Sequence, residues 1–177
     1  GQRVGDERLA PAWTGYNQRV LYATHDVTGL IAQGANAIGV EVGAGWRDPL
    51  PLRMWGRFNL RNSLPVGPPC LIAQLEVTHT DGSRTVIATG PDWRWRPGPV
   101  VRNSVYLGEE YDARREVAGW TEPGFNDAGW SQAIAARDKP QGKLVAQSAP
   151  PIRVVDELPG VQLDKLADGT RVIDFGR

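Results

Sequence analysis

Apolar and polar residues alternate in several short stretches of this chain, a pattern typical of half-buried β-strands. The plainest pair covers residues 71–78 and 84–89, which an Asp81-Gly82 turn joins into a predicted hairpin. Further strands are predicted at residues 19–24, 92–95, 131–136, 152–158 and 170–175. The sequence therefore predicts an all-β fold built from short strands.

One segment combines a capped turn with a strand. Asp26 or Thr28 is suited to cap a single helical turn over residues 27–32, and Gly34 is suited to end it in the left-handed conformation. Residues 37–42 then place Ile38, Val40 and Val42 on one face, as a half-buried strand requires. No helix longer than two turns is predicted anywhere in the chain.

Two stretches lack clean periodicity or are rich in turn residues, and we expect them to be functional loops. They cover residues 44–69 and 98–110. At the other end, residues 1–6 have the character of a second hairpin arm, so we expect the first strand to lie upstream of Gly1.

Composition excludes several classes of function. The 20 Lys and Arg residues balance 20 Asp and Glu residues, so the chain has no electrostatic footprint for nucleic acid. No stretch approaches the roughly 18 consecutive apolar residues of a membrane span. Cys70 is the single cysteine, which excludes an internal disulfide but leaves the compartment open.

Carboxylates are candidate catalytic groups, because glycosidases act through pairs of them. Glu109, Glu110 and Asp112 cluster in sequence, and alternation places residues 110 and 112 on one face of an extended segment. An acidic rim paired with Arg102, Arg114 or Arg115 is the preferred interpretation. A sugar or cation contact, or direct catalysis, is the alternative. The two histidines have no metal-ligand spacing, and no nucleotide-binding motif is present.

Aromatic side chains are the other candidates, because exposed indoles stack on the apolar faces of sugars. Of the seven tryptophans, Trp46 and Trp55 lie in the long loop and are predicted to bind carbohydrate. The other five lie at strand ends or turns and are predicted to pack in the core. Calcium binds carboxylate, amide and carbonyl oxygens. The candidate loops offer such donors at Asp48, Asn59, Asn62, Asn103, Glu109 and Asp112.

Several segments together resemble the N-terminal domain of bacterial α-L-rhamnosidases, glycoside hydrolase family 78. They include G-Q-R-V-G-D-E at 1–7, D-V-T-G-L-I at 26–31, G-A-G-W at 43–46, G-W-T-E-P-G-F-N-D-A-G-W at 119–130 and, most specifically, Y-L-G-E-E-Y-D-A-R at 106–114 and L-V-A-Q-S-A-P-P-I-R-V at 144–154. The resemblance covers residues 1–158. Arg47 stands where the family usually has a tyrosine after G-x-G-W.

The resemblance implies a galactose-binding-like jelly-roll β-sandwich of antiparallel sheets over residues 1–158. Residues 159–177 would be a linker and the opening strand of a following β-domain. It also implies a parent enzyme that removes terminal α-L-rhamnose with inversion on an (α/α)₆ barrel. No such helices are predicted here, so we expect these 177 residues alone to be inactive.

Three functional hypotheses follow. The domain is a binding module for L-rhamnose or a rhamnoside, a structural module that packs against the parent enzyme's other domains, or an isolated enzyme acting through the Glu109, Glu110 and Asp112 cluster. The candidate carbohydrate-binding residues are Trp46, Trp55, Asn103, Glu109 and Asp112. The candidate calcium ligands are Asp48 and Asn103, chosen from loop position and donor chemistry.

Overall fold

The computed structural model describes residues 1–48 and 64–176, and between them the backbone of two short strands. The strands, in chain order, are β1 (Glu7–Arg8), β2 (Arg19–Tyr22), β3 (Arg53–Met54), β4 (Phe58–Asn59), β5 (Gln74–Thr78), β6 (Arg84–Ala88), β7 (Arg94–Trp95), β8 (Val100–Ser104), β9 (Gly108–Tyr111), β10 (Ser131–Gln132), β11 (Lys143–Ala146), β12 (Ile152–Arg153), β13 (Gln162–Lys165) and β14 (Arg171–Asp174). Helical structure in the described residues is limited to 3₁₀ turns at Thr28–Leu30 and Ala113–Arg115.

The described strands associate in pairs, which gives seven two-stranded sheets. Four pairs join strands that are consecutive in sequence: β3–β4, β5–β6, β8–β9 and β13–β14. The other three cross long distances in sequence: β1 with β12, β7 with β10, and β2 with β11. All pairs are antiparallel except β2–β11, which is parallel. The mostly β prediction is therefore confirmed.

The predicted hairpin is confirmed at β5–β6, where Gln74 pairs with Ala88 and Thr78 with Arg84. Its turn has the expected local chemistry. The Asp81 carboxylate accepts a hydrogen bond of 2.8 Å from the Ser83 amide, and Gly82 has a φ of 84°. A β-carbon is disfavoured at that φ, so the Asp-Gly sequence is suited to this turn.

The capped turn is confirmed only in part: the helical turn is Thr28–Leu30, and Ile31 directly after it is extended, so Gly34 does not end it. The Asp26 carboxylate accepts a hydrogen bond of 2.9 Å from the Thr28 amide, and Gly34 has a φ of 98°. The strand predicted at residues 37–42 is wrong, because this segment pairs with no strand in the described part of the chain. Its backbone instead lies against an aromatic ring: a β-carbon on Gly39 would be 2.3 Å from Trp120.

The prediction of a loop over residues 98–110 is wrong as well. Val100–Ser104 and Gly108–Tyr111 form an antiparallel ribbon with a bulge between Val100 and Arg102. Gly108, with a φ of 78°, supplies the left-handed position that the reversal requires. Part of the predicted loop over residues 44–69 is likewise a strand pair, β3–β4.

Burial is shallow throughout the described residues. Tyr16, at 8% exposure, is the one large apolar side chain classed as buried there. The solvent-accessible surface is 14255 Å², whereas a compact protein of this mass exposes about 8,500 Å². Two-stranded ribbons cover few side chains, so the alternating apolar residues stay partly open. The two facing sheets of a jelly-roll remain a prediction.

The last strands form a hairpin of their own, in which Leu163 pairs with Ile173. The predicted strand at residues 170–175 is confirmed as Arg171–Asp174. Its partner strand is Gln162–Lys165. The division at residues 158 and 159 remains a prediction. None of the described segments is a helix long and apolar enough to cross a membrane.

Candidate functional site

The loop at residues 43–48 is held by one side chain from β8. The Asn103 amide accepts a hydrogen bond of 2.9 Å from Ala44 N–H and donates one of 3.1 Å to the Ala44 carbonyl. Gly43 permits this approach, since a β-carbon there would be 2.8 Å from Asn103 Nδ2. Asn103 therefore positions the loop that carries Trp46, Arg47 and Asp48.

Trp46 forms one wall of a small apolar niche. Its Nε1 donates a hydrogen bond of 2.9 Å to the Leu9 carbonyl, which fixes the indole against the segment at residues 8–13. The niche has a volume of about 60 Å³ and is also lined by Trp13, Pro150, Pro151 and Ile152, among others. Two indoles thus flank a concave apolar surface, an arrangement suited to the face of a sugar ring.

Gln147 joins the two segments that form the rest of this niche. Its Oε1 accepts a hydrogen bond of 2.9 Å from the Ala12 amide, and its Nε2 donates one of 3.1 Å to the Ala149 carbonyl. The side chain therefore ties residues 9–13 to residues 147–152 across the chain. This amide lies within the L-V-A-Q-S-A-P-P-I-R-V block, so that block has a structural role at the niche.

The acidic rim, defined as Glu109, Glu110 and Asp112, lies on β9 and just after it. The two Asp112 oxygens accept hydrogen bonds of 2.7 Å and 2.9 Å from the Arg114 guanidinium, and Arg115 Nε lies 3.6 Å from Oδ2. The Arg114 contact holds the pKa of the Asp112 carboxyl below its usual range. Glu110 lies 3.7 Å from Arg102. The preferred interpretation, an acidic rim paired with arginines, therefore agrees with these contacts.

Comparison with known proteins identifies the family of the chain. Residues 1–156 match the family model described as the α-L-rhamnosidase N-terminal domain. The chain belongs to that family. It is 41% identical over 178 residues to an α-L-rhamnosidase of Streptomyces avermitilis, a match that covers 100% of this chain and 17% of the relative.

Two solved structures are similar to this rhamnosidase N-terminal domain. The Streptomyces avermitilis α-L-rhamnosidase complexed with L-rhamnose matches with a TM-score of 0.75 and 36% identity, over 99% of this chain and 16% of that one. The α-L-rhamnosidase of Dictyoglumus thermophilum matches with a TM-score of 0.76 and 33% identity, over 100% and 18%. The domain thus spans less than a fifth of the length of these relatives.

Within the domain, the structure brings some of the predicted site residues together. Asn103 contacts the Trp46 loop, and Glu109 pairs with Asn103 in the β8–β9 register, so both lie on one face of the ribbon. Asp112 follows the ribbon and is engaged by Arg114. Trp55 lies outside the described residues, as do Asn62 and the side chain of Asn59.

Calcium binding stays a prediction. Both polar atoms of the Asn103 amide are engaged by Ala44, and the Asp112 carboxylate is engaged by Arg114, so neither is a ready oxygen ligand in this arrangement. Across the described residues, no three Asp, Glu, His or Cys side chains converge on one point. A site at Asp48 and Asn103 would therefore need further oxygen ligands.

The tryptophans divide differently from the prediction. Trp93, Trp120 and Trp130 are partly buried, and Trp130 packs edge to face with Phe125 at a centroid distance of 5.6 Å. Trp13 and Trp95, however, are 57% and 49% exposed, so the prediction that they pack in a core is wrong. Trp13 is the functional candidate that sequence reasoning missed. Its position beside L-A-P-A, in a turn-rich aromatic loop, was the available signal.

Proposed function

We propose that this domain is a carbohydrate-associated module of an α-L-rhamnosidase, and that it binds L-rhamnose or a rhamnoside at the niche between Trp46 and Trp13. The observation that carries the proposal is the pair of indoles on one concave surface, with Trp46 fixed by its bond to Leu9. The finer architecture proposed with it is a galactose-binding-like jelly-roll.

The expected mode of binding is stacking. An indole face covers the C–H groups of a sugar while the sugar hydroxyls remain open to polar partners. Trp13 is suited to this role because more than half of its surface is exposed in the absence of a ligand. Calcium at Asp48 and Asn103 is proposed as an aid to hydroxyl binding, and it would require the Asn103 amide to exchange its bond with Ala44 for the metal.

The test is a titration of the 177-residue chain with methyl α-L-rhamnoside, followed by calorimetry in calcium and again in chelator. Methyl α-L-fucoside is the matched sugar control. Trp13→Ala is expected to weaken binding at least tenfold, whereas Trp95→Ala, which removes an exposed indole elsewhere, leaves it unchanged. Absence of binding in both conditions would eliminate the binding module. Equal affinities with and without calcium would eliminate the metal's role.

The hydrolytic activity is proposed for the parent enzyme and not for these residues. Hydrolysis with inversion needs an acid and a base carboxylate separated by enough space to admit water. In the acidic rim, Asp112 and Glu110 are paired with arginines, which favours ion pairing over acid–base catalysis for these two carboxylates. We expect no turnover of an aryl α-L-rhamnoside by the 177-residue chain. Measurable release of the aryl group would overturn this assignment.

A second candidate is a structural module that packs against other domains of the parent enzyme. It is favoured by large apolar side chains that remain open to solvent: Ile72 is 71%, Ile134 85% and Val155 97% exposed. Hydrogen exchange would test it by comparing the chain alone with a longer protein containing the following domains. Equal exchange rates around these three residues in both proteins would eliminate interdomain packing at these residues.

A further inference from the structure

A second concavity is also lined by a residue of the loop at residues 43–48. Its volume is about 250 Å³, and it is lined by Tyr16, Asn17, Arg47, Pro65, Val66 and a segment at residues 137–141. We call it the basic pocket. Trp46 lines the niche and its neighbour Arg47 lines the basic pocket, so one loop contributes a residue to each cavity. Four segments distant in sequence build its walls: residues 16–17, Arg47, residues 65–66 and residues 137–141.

Arg47 is held in the wall of the basic pocket by hydrogen bonds with backbone groups. Its carbonyl accepts a hydrogen bond of 2.9 Å from the Gly67 amide, and its Nη1 donates one of 3.1 Å to the Pro68 carbonyl. A β-carbon on Gly67 would be 2.5 Å from Nη1, so glycine leaves the space that the guanidinium occupies. Arg47 Nε is buried and has no hydrogen-bond acceptor among the residues that the structure describes. Because this Nε has no accessible surface, Arg47 contributes to the pocket through the charge of its guanidinium.

The opposite wall is fixed by the parallel pairing of β2 with β11. The Gly142 backbone amide donates a hydrogen bond of 2.9 Å to the Tyr16 carbonyl, and the Gln141 side-chain Nε2 donates one of 3.0 Å to the Lys139 carbonyl. These bonds place residues 137–141 beside Tyr16. Tyr16 is buried, and burial raises the pKa of its hydroxyl, so the hydroxyl is protonated and able to donate at neutral pH.

The charges of the basic pocket are unbalanced. Arg47, Arg137 and Lys139 contribute three cations, against one carboxylate from Asp138. Some arginines elsewhere in the described residues lie beside acids, as Arg153 does with Asp6 and Arg114 with Asp112. By contrast, no ion pair among the described residues involves Arg137 or Lys139. Cations clustered in a concavity without acidic partners are suited to an anion.

We propose that the basic pocket binds the anionic group of one acidic sugar unit, with Arg47, Arg137 and Lys139 holding the charge and Tyr16, Pro65 and Pro140 facing the ring. The identification of the ligand as a sugar rests on the proposed carbohydrate function. The volume of about 250 Å³ lies just below the roughly 300 Å³ at which pockets for drug-sized ligands begin, which suits a single unit.

The test is an NMR titration of the 177-residue chain with methyl α-D-galacturonoside and, as the neutral matched control, methyl α-D-galactoside. A second arm uses galactose 6-sulfate to distinguish a carboxylate from a sulfate ester as the preferred anion. We expect the acidic sugars to bind at least tenfold more tightly than galactoside, and to weaken as ionic strength rises. Equal affinity for the neutral sugar, or no binding of either acidic sugar, would overturn the proposal.

The variant that tests the site is the exposed double substitution Arg137→Ala with Lys139→Ala. Its matched control is Lys165→Ala with Arg171→Ala, an Arg and a Lys that face each other in the β13–β14 register. Only the first is expected to weaken acidic-sugar binding, by at least tenfold. Equal losses in both would indicate non-specific charge attraction and overturn the site. Inorganic sulfate binding as tightly as the sugars would overturn the sugar assignment.

Failure of this proposal is distinguishable from failure of the rhamnoside proposal. The niche is tested with a neutral sugar and Trp13→Ala, whereas the basic pocket is tested with acidic sugars and the Arg137 and Lys139 variant. Rhamnoside binding that survives the loss of both cations would leave the first proposal intact whatever the outcome of the second.

Discussion

The loop at residues 43–48 contacts β8, and the acidic rim lies on the neighbouring strand β9 and just after it. The two regions are held in different ways. The loop is positioned by Asn103, by the Leu9 carbonyl and by the Gly67 amide, which are all distant in sequence. The rim is held by exposed ion pairs, and its closest one joins Asp112 to Arg114 two residues away. Exposed ion pairs contribute little to stability. The loop region should therefore be much more sensitive to substitution than the rim.

The largest loss of stability is expected at Gly142, whose backbone lies close to the backbone of Arg19 beside the basic pocket. A β-carbon on Gly142 would be 2.3 Å from the Arg19 nitrogen, so Gly142→Ala must displace β2 or β11. We expect the free energy of unfolding to fall by about 3 kcal/mol. Urea denaturation measures it. Gly45→Ala is the control, because nothing lies within 4 Å of a β-carbon there. Similar denaturation midpoints for both variants would refute the close approach.

Asn103→Ala should produce the next largest effect, because it removes both hydrogen bonds to Ala44 from a part-buried position. We expect a loss of about 1.5 kcal/mol in the free energy of unfolding, with a change in tryptophan fluorescence as the Trp46 loop shifts. The control is Asn126→Ala, which removes one exposed hydrogen bond to the Ala128 amide. A loss no larger than in the control would mean that Asn103 does not position the loop.

Trp46→Phe separates the ring from its hydrogen bond. The variant keeps an aromatic side chain and removes the Nε1 bond to the Leu9 carbonyl. We expect a loss of about 1 kcal/mol in stability. Trp95→Phe, at an exposed position on β7, provides the baseline for a change of indole to phenyl. Unfolding curves that coincide for the two variants would contradict a fixed indole at the niche.

The smallest effect is expected at the acidic rim. Because the Arg114 guanidinium lowers the pKa of Asp112 in the folded state, the associated stability is present above the ordinary carboxyl pKa of about 3.9. It is lost as pH falls through the lowered folded value. Arg114→Gln should raise the pKa of Asp112 and flatten the acid dependence of the melting temperature. A ¹³C NMR titration of the Asp112 carboxyl measures this pKa, and Arg171→Gln is the control. An unchanged Asp112 titration would contradict the ion pair.

Sequence reasoning succeeded where the cause is local. The hairpin at β5–β6 follows from alternation and an Asp-Gly turn, and the 3₁₀ turn follows from Asp26, which bonds to an amide two residues away. It failed at residues 37–42 because alternation is necessary for a half-buried strand but does not supply a partner strand. It failed at residues 98–110 because arginine and asparagine in an exposed ribbon weaken the apolar pattern of β8.

The candidate site was predicted only in part, for a similar reason. Trp46 was identified from its place in the loop, but exposure of Trp13 depends on residues 147–152, which lie far along the chain. Arg47 was noted only as a departure from an aromatic position in the family. It lines one pocket with Arg137 and Lys139 only because four segments meet there, and no short-range pattern encodes that meeting.

The amino-acid sequence by itself determined the β-rich class, the local turns and the membership of the rhamnosidase N-terminal family, because each depends on side chains close in sequence or on motifs. The tertiary structure alone decided which strands pair across the chain, as β2 does with β11. It also decided which cations lie together. These outcomes depend on long-range contacts, and adjacent residues such as Trp46 and Arg47 reach different cavities only after those contacts form.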